Sequence, residues 1–311
     1  MVRWMQYVYA VYQEKSFSKA AARLYISQPS LSNAIKKAEK EIGFSIFDRS
    51  TVPIQLTELG QEYIRSIEII MDAQKGLQNY VNDINELNAG NFTIGGTSLF
   101  ASYIIPQFLF QFMEKYPKVH INLVEGARSE LIEKLNVGEI DLLIDNMYFS
   151  NKMFESKHIY DEHLLLTVPK RFEVNSGLEK YAMTADDVRD GKHIGPKIKP
   201  VELNTFKDVP FIMQKVGNDS RIRAEYFCKE ADFNPKIRLE PDGQITTYNA
   251  TCTGLGASFT GDILVKHVPA NNNILYYKLA SKEATRMVRI YHKRNRYLPK
   301  AAKEFFKMVS E

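Results

Sequence analysis

The stretch SKAAARLYISQPSLSNAIKKAEKEIG, residues 18–43, most constrains what this chain can fold into. It holds two short helical patterns joined by a tight turn, and an apolar helical pattern over residues 4–12 precedes it. The segment Ser16-Phe17-Ser18 is predicted to break the first helix and to supply an N-cap for a second helix over about residues 19–24. Ser27 is the predicted N-cap of the third helix, and Pro29 suits its first turn because the missing N–H costs nothing there. Three short helices with such a turn predict a helix-turn-helix.

The third of these helices has two faces of different chemistry. A step of about 100° per residue places Leu31 and Ile35 on one side and Asn33, Lys36 and Lys40 on the other. The first side is apolar and is predicted to be buried. The outward side is small and polar at its start and basic at its end.

A hairpin and a long helix are predicted next. Gly43 ends the third helix, residues 44–56 read as an extended hairpin, and Thr57 caps a helix over residues 58–87. Apolar residues recur at seven-residue intervals along that helix: Tyr63, Ile70, Leu77 and Ile84. An exposed seam of this length needs a partner, which favours a dimer helix over the alternative of a core helix.

The remainder of the chain alternates strand and helix patterns. After a linker at residues 88–91, the order strand, helix, strand, helix, strand predicts a parallel sheet. A second alternating unit follows, and the chain ends with a strand over residues 287–292 and a helix over residues 299–309. The fold class is therefore α/β.

Length and composition exclude several classes of protein. A chain of 311 residues predicts two or three domains. No run approaches the length of a membrane span, and the amino terminus does not resemble a signal peptide. With only Cys228 and Cys252, we expect free thiols, a reducing cytoplasm and no disulfide framework.

The histidines carry no recognisable catalytic or metal-binding motif. They are scattered along the chain, at His120, His158, His163, His193, His267 and His292. No nucleophile motif or dinucleotide-binding glycine pattern accompanies them. We therefore expect no catalysis, no metal and no cofactor.

Residues 9–60 resemble, nearly position by position, the amino-terminal signature of LysR-type transcriptional regulators. Looser similarity extends over essentially the whole chain, through IGGTSLFASYIIPQFLFQFMEKYP, LNVGEIDLLI, TGLGAS and YLPKAAKEFFKMV. The resemblance implies a sequence-specific regulator that binds double-stranded promoter DNA and assembles as a homodimer or homotetramer. An activator of this kind would also contact RNA polymerase.

The resemblance also implies a division of the chain into parts. It predicts a winged helix-turn-helix over 1–58 and a linker and dimerisation helix over 59–90. A two-lobed effector domain like a periplasmic binding protein follows, with lobe I over 91–161 and 269–311 and lobe II over 162–268.

Carried over residue by residue, the family's DNA contacts fall on and beside the third helix. Base-reading positions correspond to Gln28, Pro29, Ser32 and Asn33, with Ser30 beside them. Phosphate contacts are predicted at Lys36, Lys37, Lys40 and Arg49. Asn or Gln can pair bidentately with adenine in the major groove, whereas lysine contacts with phosphate position the protein without reading sequence.

Two positions depart from the family pattern. Many members carry arginine where this chain has Asn33, and a basic residue in the hairpin near Val52, where this chain has none. We expect a weak grip on the minor groove and an operator without a guanine preference at the Asn33 position.

The family's effector, a small molecule and often a carboxylate, binds between the two lobes. Matching positions are Thr97, Ser98, Ser129, Asn146, Gln214 and Thr246, and each has an alternative role as a cap or loop residue. No arginine is expected in this cleft, which leaves the charge of the ligand open.

Two other functions compete with this interpretation. A transport-type binding protein would share the lobes but would have a secretion signal and no helix-turn-helix. A thiol-based redox-sensing regulator of the same fold remains the alternative within the family, through Cys228 and Cys252.

Overall fold

The computed structural model describes residues 4–85 and 90–309. They form two compact units: one comprises the chain up to Asn82 together with Asn136–Gly138, and the other comprises the remainder.

The first unit begins with three helices joined by short turns. Its elements are α1 (Met5–Glu14), α2 (Phe17–Arg23), α3 (Gln28–Ile42), β1 (Phe47–Asp48), β2 (Gln55–Leu56) and α4 (Glu58–Asn85). The side chain of Ser16 accepts the N–H of Lys19, and that of Ser27 accepts the N–H of Ser30, as N-caps do. Gly43 closes α3 with φ +88°, a left-handed conformation that suits glycine.

The core of this unit lies under α3. Leu31 and Ile35 are fully buried together with Val8 of α1 and Ile67 of α4. The outward and inward faces of α3 thus follow the sequence pattern.

Beyond Ile67, α4 leaves the core and exposes its apolar side. Leu77 is 65% exposed, and Ile70 and Val81 are exposed as well. The first part of the heptad pattern therefore packs in the core, and the later part is an exposed apolar stripe. The side chain of Ile84 lies outside the described residues.

The second unit alternates strands and helices. Its strands are β3 (Asn91–Gly96), β4 (His120–Glu125), β5 (Leu142–Asp145), β6 (Phe154–Pro169), β7 (Ala182–Met183), β8 (Pro210–Ile212), β9 (Lys236–Leu239), β10 (Ser258–Gly261), β11 (Ile274–Lys278) and β12 (Thr285–Lys293). Its helices are α5 (Ile105–Lys115), α6 (Arg128–Val137), α7 (Ala185–Arg189), α8 (Asp219–Glu230), α9 (Gln244–Cys252), α10 (Asp262–His267) and α11 (Lys300–Met308).

One long strand organises the main sheet, whose order is β4-β3-β5-β12-β6-β11-β7. β3 is parallel to both β4 and β5, as the alternating pattern predicts. β6 has 16 residues and pairs antiparallel with β12 along its first part and with β10 and β11 along its second part. β8 and β9 form a separate parallel pair.

Two large apolar clusters fill this unit. One contains β3 and α11, where Phe305 lies with its ring centroid 5.3 Å from those of Phe92 and Phe112. The other contains Phe211, Phe227 and Phe259. Among the residues described, no helix combines the length and apolar character needed to cross a membrane.

Truncation of Ile35 tests the packing under α3. Ile35→Ala removes a fully buried side chain, and we expect the free energy of unfolding of the first unit to fall by about 2–5 kcal/mol. Denaturant titration followed by the fluorescence of Trp4, the one tryptophan in the sequence, measures it. Val52→Ala, at a side chain that is 99% exposed, is the control, and equal midpoints for the two variants would contradict this packing.

Candidate functional site

The start of α3 presents a small polar surface to solvent. Gln28, Pro29, Ser30 and Asn33 are exposed, and Ser32 is half-buried. The hydroxyls of Ser27 and Ser30 lie 2.7 Å apart, so Ser30 takes part in the capping of the helix. Asn33 is free to present both an amide donor and an acceptor outward.

The basic positions next to this surface differ in their freedom. Lys36, Lys37 and Lys40 are exposed. Arg49 donates from Nη2 to Glu39 Oε2 at 2.9 Å, and its guanidinium lies 5.2 Å from the ring centroid of Phe17. Arg49 is thus held in place, whereas the three lysines are not.

Glu39 fixes the hairpin to α3. Its Oε1 accepts the backbone N–H of Ile46 at 2.9 Å, while Oε2 accepts Arg49. The carboxylate therefore joins the last turn of the helix to the base of the hairpin.

Sequence reasoning missed Tyr25, in the turn before α3. Its side chain is 96% exposed and its φ is +55°, in the left-handed region that non-glycine residues seldom adopt. An aromatic residue in the turn between α2 and α3 is visible in the sequence, and it could have indicated an exposed side chain next to the start of α3. At the hairpin tip Val52 is 99% exposed, which makes the tip apolar and uncharged.

The second unit contains a polar cavity of about 350 Å³. It opens beside the start of the helix that leads into α5, and a π-helical turn, Phe100–Ile104, lies in that helix. Six polar side chains on its wall matter for its chemistry: Thr97, Ser98, Arg128, Asn146, Gln214 and Arg286.

Four of the six residues matched to the family's effector site line this cavity, namely Thr97, Ser98, Asn146 and Gln214. Ser129 and Thr246 are exposed and are absent from the lining residues that the structure describes. Each follows shortly after a residue that does line the cavity, Arg128 or Gln244 in the two cases, on a helix. Neighbouring helical side chains point in different directions, so a small error in matching turns a residue away.

The expectation of a cleft without arginine is wrong, because Arg128 and Arg286 both line the cavity. Arg128 Nε donates to both carboxylate oxygens of the fully buried Asp145, at 3.0 and 3.1 Å. Arg286 Nε donates to Glu162 Oε2 at 2.6 Å. Each positive charge is matched by a buried carboxylate, so the wall is polar without a strong net charge.

One hydrogen-bonded network joins these groups. Asn146 accepts Arg128 Nη2 at 2.9 Å and donates to Glu162 Oε2 at 2.9 Å. Arg286 continues the network by donating from Nη1 to Asp219 Oδ2 at 2.9 Å. It therefore runs from α6 and β5 through β6 and β12 to the start of α8.

The arginines around Asp219 favour its ionised form. Burial alone would raise its pKa, but the charges of Arg286, Arg223 and Arg128 outweigh burial and hold the pKa below its ordinary value. The pair of Asp219 with Arg286 is thus charged throughout the physiological pH range.

Two buried polar atoms lack a hydrogen-bond partner among the residues described: Glu162 Oε1, in this network, and Gln244 Nε2, on a residue that lines the cavity. Gly261 makes room for the first, since a Cβ there would lie 1.8 Å from Glu162 Oε1. Unsatisfied buried groups of this kind cost about 1–3 kcal/mol each, and a ligand that bonds to Gln244 Nε2 recovers that cost.

The two cysteines are poor nucleophiles. Burial, with a smaller contribution from Glu225, raises the pKa of the Cys228 thiol to about 12. Burial also raises the pKa of Cys252. Reactive thiols have a lowered pKa, so both side chains resemble structural cysteines.

Comparisons with known proteins agree over nearly the full chain. Residues 2–61 match the model of the bacterial regulatory helix-turn-helix protein, lysR family, and residues 85–311 match that of the LysR substrate binding domain. The chain is 26% identical to an uncharacterized HTH-type transcriptional regulator, YcgK of Bacillus subtilis, over 310 residues, covering 100% of this chain and 94% of the relative. It is also 26% identical to the HTH-type transcriptional activator CmpR of Synechocystis sp. over 254 residues, covering 80% of this chain and 75% of CmpR.

Solved structures show the same fold. The LysR family regulator CbnR in complex with its target DNA aligns with a TM-score of 0.61 at 17% identity, covering 99% of this chain and 98% of CbnR. Since both family models match in the expected order and together span nearly the whole sequence, the chain belongs to the LysR family of helix-turn-helix transcriptional regulators.

Proposed function

We propose that this regulator reads promoter DNA with the start of α3 and is controlled by a small polar molecule bound in the cavity of the second unit. The observation that carries the first part is the division of α3 into an exposed polar start and an exposed basic end. The capped, close-packed helix fixes the backbone from which these side chains project, as base readout requires.

In this proposal the two ends of α3 have different tasks. Gln28, Pro29, Ser32 and Asn33 contact base edges, with Ser30 supporting the first turn. The lysines at 36, 37 and 40 bind phosphate, which adds affinity and salt dependence but little sequence preference. Arg49 also contacts phosphate, through the nitrogens that Glu39 leaves free.

The effector is a small polar molecule with a negatively charged group, such as a carboxylate. Thr97 and Ser98 supply hydroxyl donors at the start of a helix, where free backbone N–H groups favour an anion. Asn146 and Gln214 supply further polar contacts from two other walls. Ser129 and Thr246, which are not among the described residues that line the cavity, have no part in binding.

Control then follows from a change in the angle between two lobes. Lobe I, expected at 91–161 and 269–311, is placed at 91–161 and 279–311, and lobe II at 162–278. The boundary moves because β11 (Ile274–Lys278) pairs with the second part of β6, which belongs to lobe II. An effector that prefers one lobe angle shifts the population of DNA-bound states by its differential affinity alone.

Assembly and partners complete the proposal. The exposed apolar stripe of α4 pairs with a second copy, and homodimers or homotetramers bind paired half-sites in the cytoplasm. CmpR is named as a transcriptional activator. If this chain also activates transcription, RNA polymerase is a further partner. The regulator itself performs no catalysis and needs no cofactor for DNA binding. The raised thiol pKa values weigh against the redox-sensing alternative.

Replacement of Asn33 tests the base-reading assignment. We expect Asn33→Arg to shift the preferred half-site base toward guanine by about 1–3 kcal/mol, because arginine pairs bidentately with guanine O6 and N7. Sites selected from a random duplex library by the parent and the variant, followed by anisotropy titration of single-base changes, measure this shift. A parent protein that already prefers guanine strongly at that position would contradict the assignment.

Lys36→Ala provides the matching test of the phosphate contacts. Binding should weaken to a similar extent on selected and scrambled duplexes, and the slope of log affinity against log salt should fall by about one unit. Lys118→Ala, at an exposed lysine of the second unit, is the control and should leave the slope unchanged.

Matched hydroxyl variants test the cavity. A thermal-shift screen of small acids and amino acids first supplies a stabilising ligand. Ser98→Ala and Thr97→Ala should each weaken that ligand by about tenfold or more, since a hydrogen bond to a charged group is lost. Calorimetric titration measures the change.

Ser129→Ala and Thr246→Ala are the controls, because these two residues are exposed and are not among the described residues that line the cavity. Both should bind the ligand as the parent does. If Ser98→Ala and Ser129→Ala lowered the affinity for the ligand equally, the ligand would bind outside this cavity.

A further inference from the structure

Three potential metal ligands that are far apart in sequence meet beside β6. His163 lies in β6, His193 follows α7, and Asp262 is the first residue of α10. One ligand atom from each lies within 4.8 Å of the other two. His163 and His193 are 99 and 69 residues from Asp262, which is why no sequence spacing reveals the cluster.

The cluster is rigidly positioned and largely buried. Asp262 is fully buried and His193 is 1% exposed. The backbone N–H of His163 donates to Asp262 Oδ1 at 2.8 Å, and His193 Nε2 lies 3.0 Å from Asp262 Oδ2. These contacts fix the carboxylate without involving the side chain of His163.

The imidazole of His163 completes the arrangement. Its Nδ1 is buried, has no hydrogen-bond partner among residues 4–85 and 90–309, and lies 3.7 Å from Asp262 Oδ2. That distance is too long for a hydrogen bond. Two ligand atoms of one tetrahedral Zn²⁺ ion, each about 2.1 Å from the metal, are about 3.4 Å apart. The distances from Asp262 Oδ2 to His193 Nε2 and to His163 Nδ1, 3.0 and 3.7 Å, lie on either side of that value.

Lys266 holds the carboxylate from the solvent side. Its Nζ lies 2.6 Å from Asp262 Oδ2, and its side chain is 32% exposed. The ammonium supplies the positive charge that a buried carboxylate needs. Because the lysine reaches solvent, it can leave the carboxylate and remain hydrated when another cation takes its place.

We propose that His163, His193 and Asp262 form a binding site for one divalent transition-metal ion, such as Zn²⁺, which displaces Lys266 from the carboxylate. Two imidazoles and one carboxylate are a ligand set that Zn²⁺ and Co²⁺ accept, and the remaining position is open to water. The ion joins β6 to the segment after α7 and to α10.

The site lies next to the cavity network. Glu162, the neighbour of His163 on β6, accepts hydrogen bonds from Arg286 and Asn146, which both line the cavity. A metal ion that fixes β6 at residue 163 therefore acts one residue from the polar contacts of the cavity.

Metal titration of the full-length chain tests the proposal. The protein, freed of metal with a chelator and dialysed, is titrated with Co²⁺ alone and the visible absorption of tetrahedral Co²⁺ is recorded. Zn²⁺ affinity is then measured by competition with a chromophoric chelator. We expect one ion per chain, and a loss of affinity of more than about tenfold in both His163→Gln and His193→Ala.

Lys266→Met separates a metal site from a purely structural cluster, because removing the competing ammonium should tighten Zn²⁺ binding. His158→Ala is the control: this exposed histidine of β6 lies 2.9 Å from Asp161 and should not affect affinity. Since His193→Ala removes a buried side chain, circular dichroism checks its folding, and His163→Gln carries the test if it unfolds.

Three results would each overturn the proposal. They are a parent chain that binds no Co²⁺ with tetrahedral absorption, a His163→Gln variant that binds Zn²⁺ as the parent does, and a Lys266→Met variant whose affinity is unchanged or weaker.

Discussion

The polar interior of the second unit depends on the ion pair between Arg286 and Glu162. The two residues are directly opposite each other on β12 and β6, and they are 4% and 0% exposed. Removing either partner from such a pair leaves a buried charge and costs about 3–5 kcal/mol. Burial of the pair is tolerable because Asn146 and Asp219 bond to it from neighbouring elements. The pair therefore fixes the positions of these side chains, which line the cavity.

This dependence explains how a cavity with two arginines carries little net charge. A ligand anion meets guanidinium groups whose charges are already matched, so it gains mostly from hydroxyls, backbone N–H groups and the unused guanidinium nitrogens. Recognition by such a wall favours a particular arrangement of donors over charge alone. The network also includes Asp219 at the start of α8, which lines the same cavity.

The sequence predicted local features well and distant contacts poorly. A cap within residues 16–18, the cap at Ser27 and the end of α3 at Gly43 follow from neighbouring residues, and the structure has them, with Ser16 as the first cap and α2 beginning at Phe17. The proximity of Arg286 to Glu162 depends on strand pairing across 124 residues, which no periodicity encodes. Thr97 and Ser98 were found because a family motif surrounds them, whereas the arginines lie outside any motif.

The carboxylate of Glu39 has a consequence for how this regulator can change its target. It joins the hairpin to the last turn of α3, six residues beyond Asn33, the last of the residues proposed to read bases. Substitutions in the first turn can therefore alter the preferred bases without disturbing the orientation of the hairpin. A single substitution at the start of α3 can therefore change the preferred operator sequence while the contact between α3 and the hairpin stays the same.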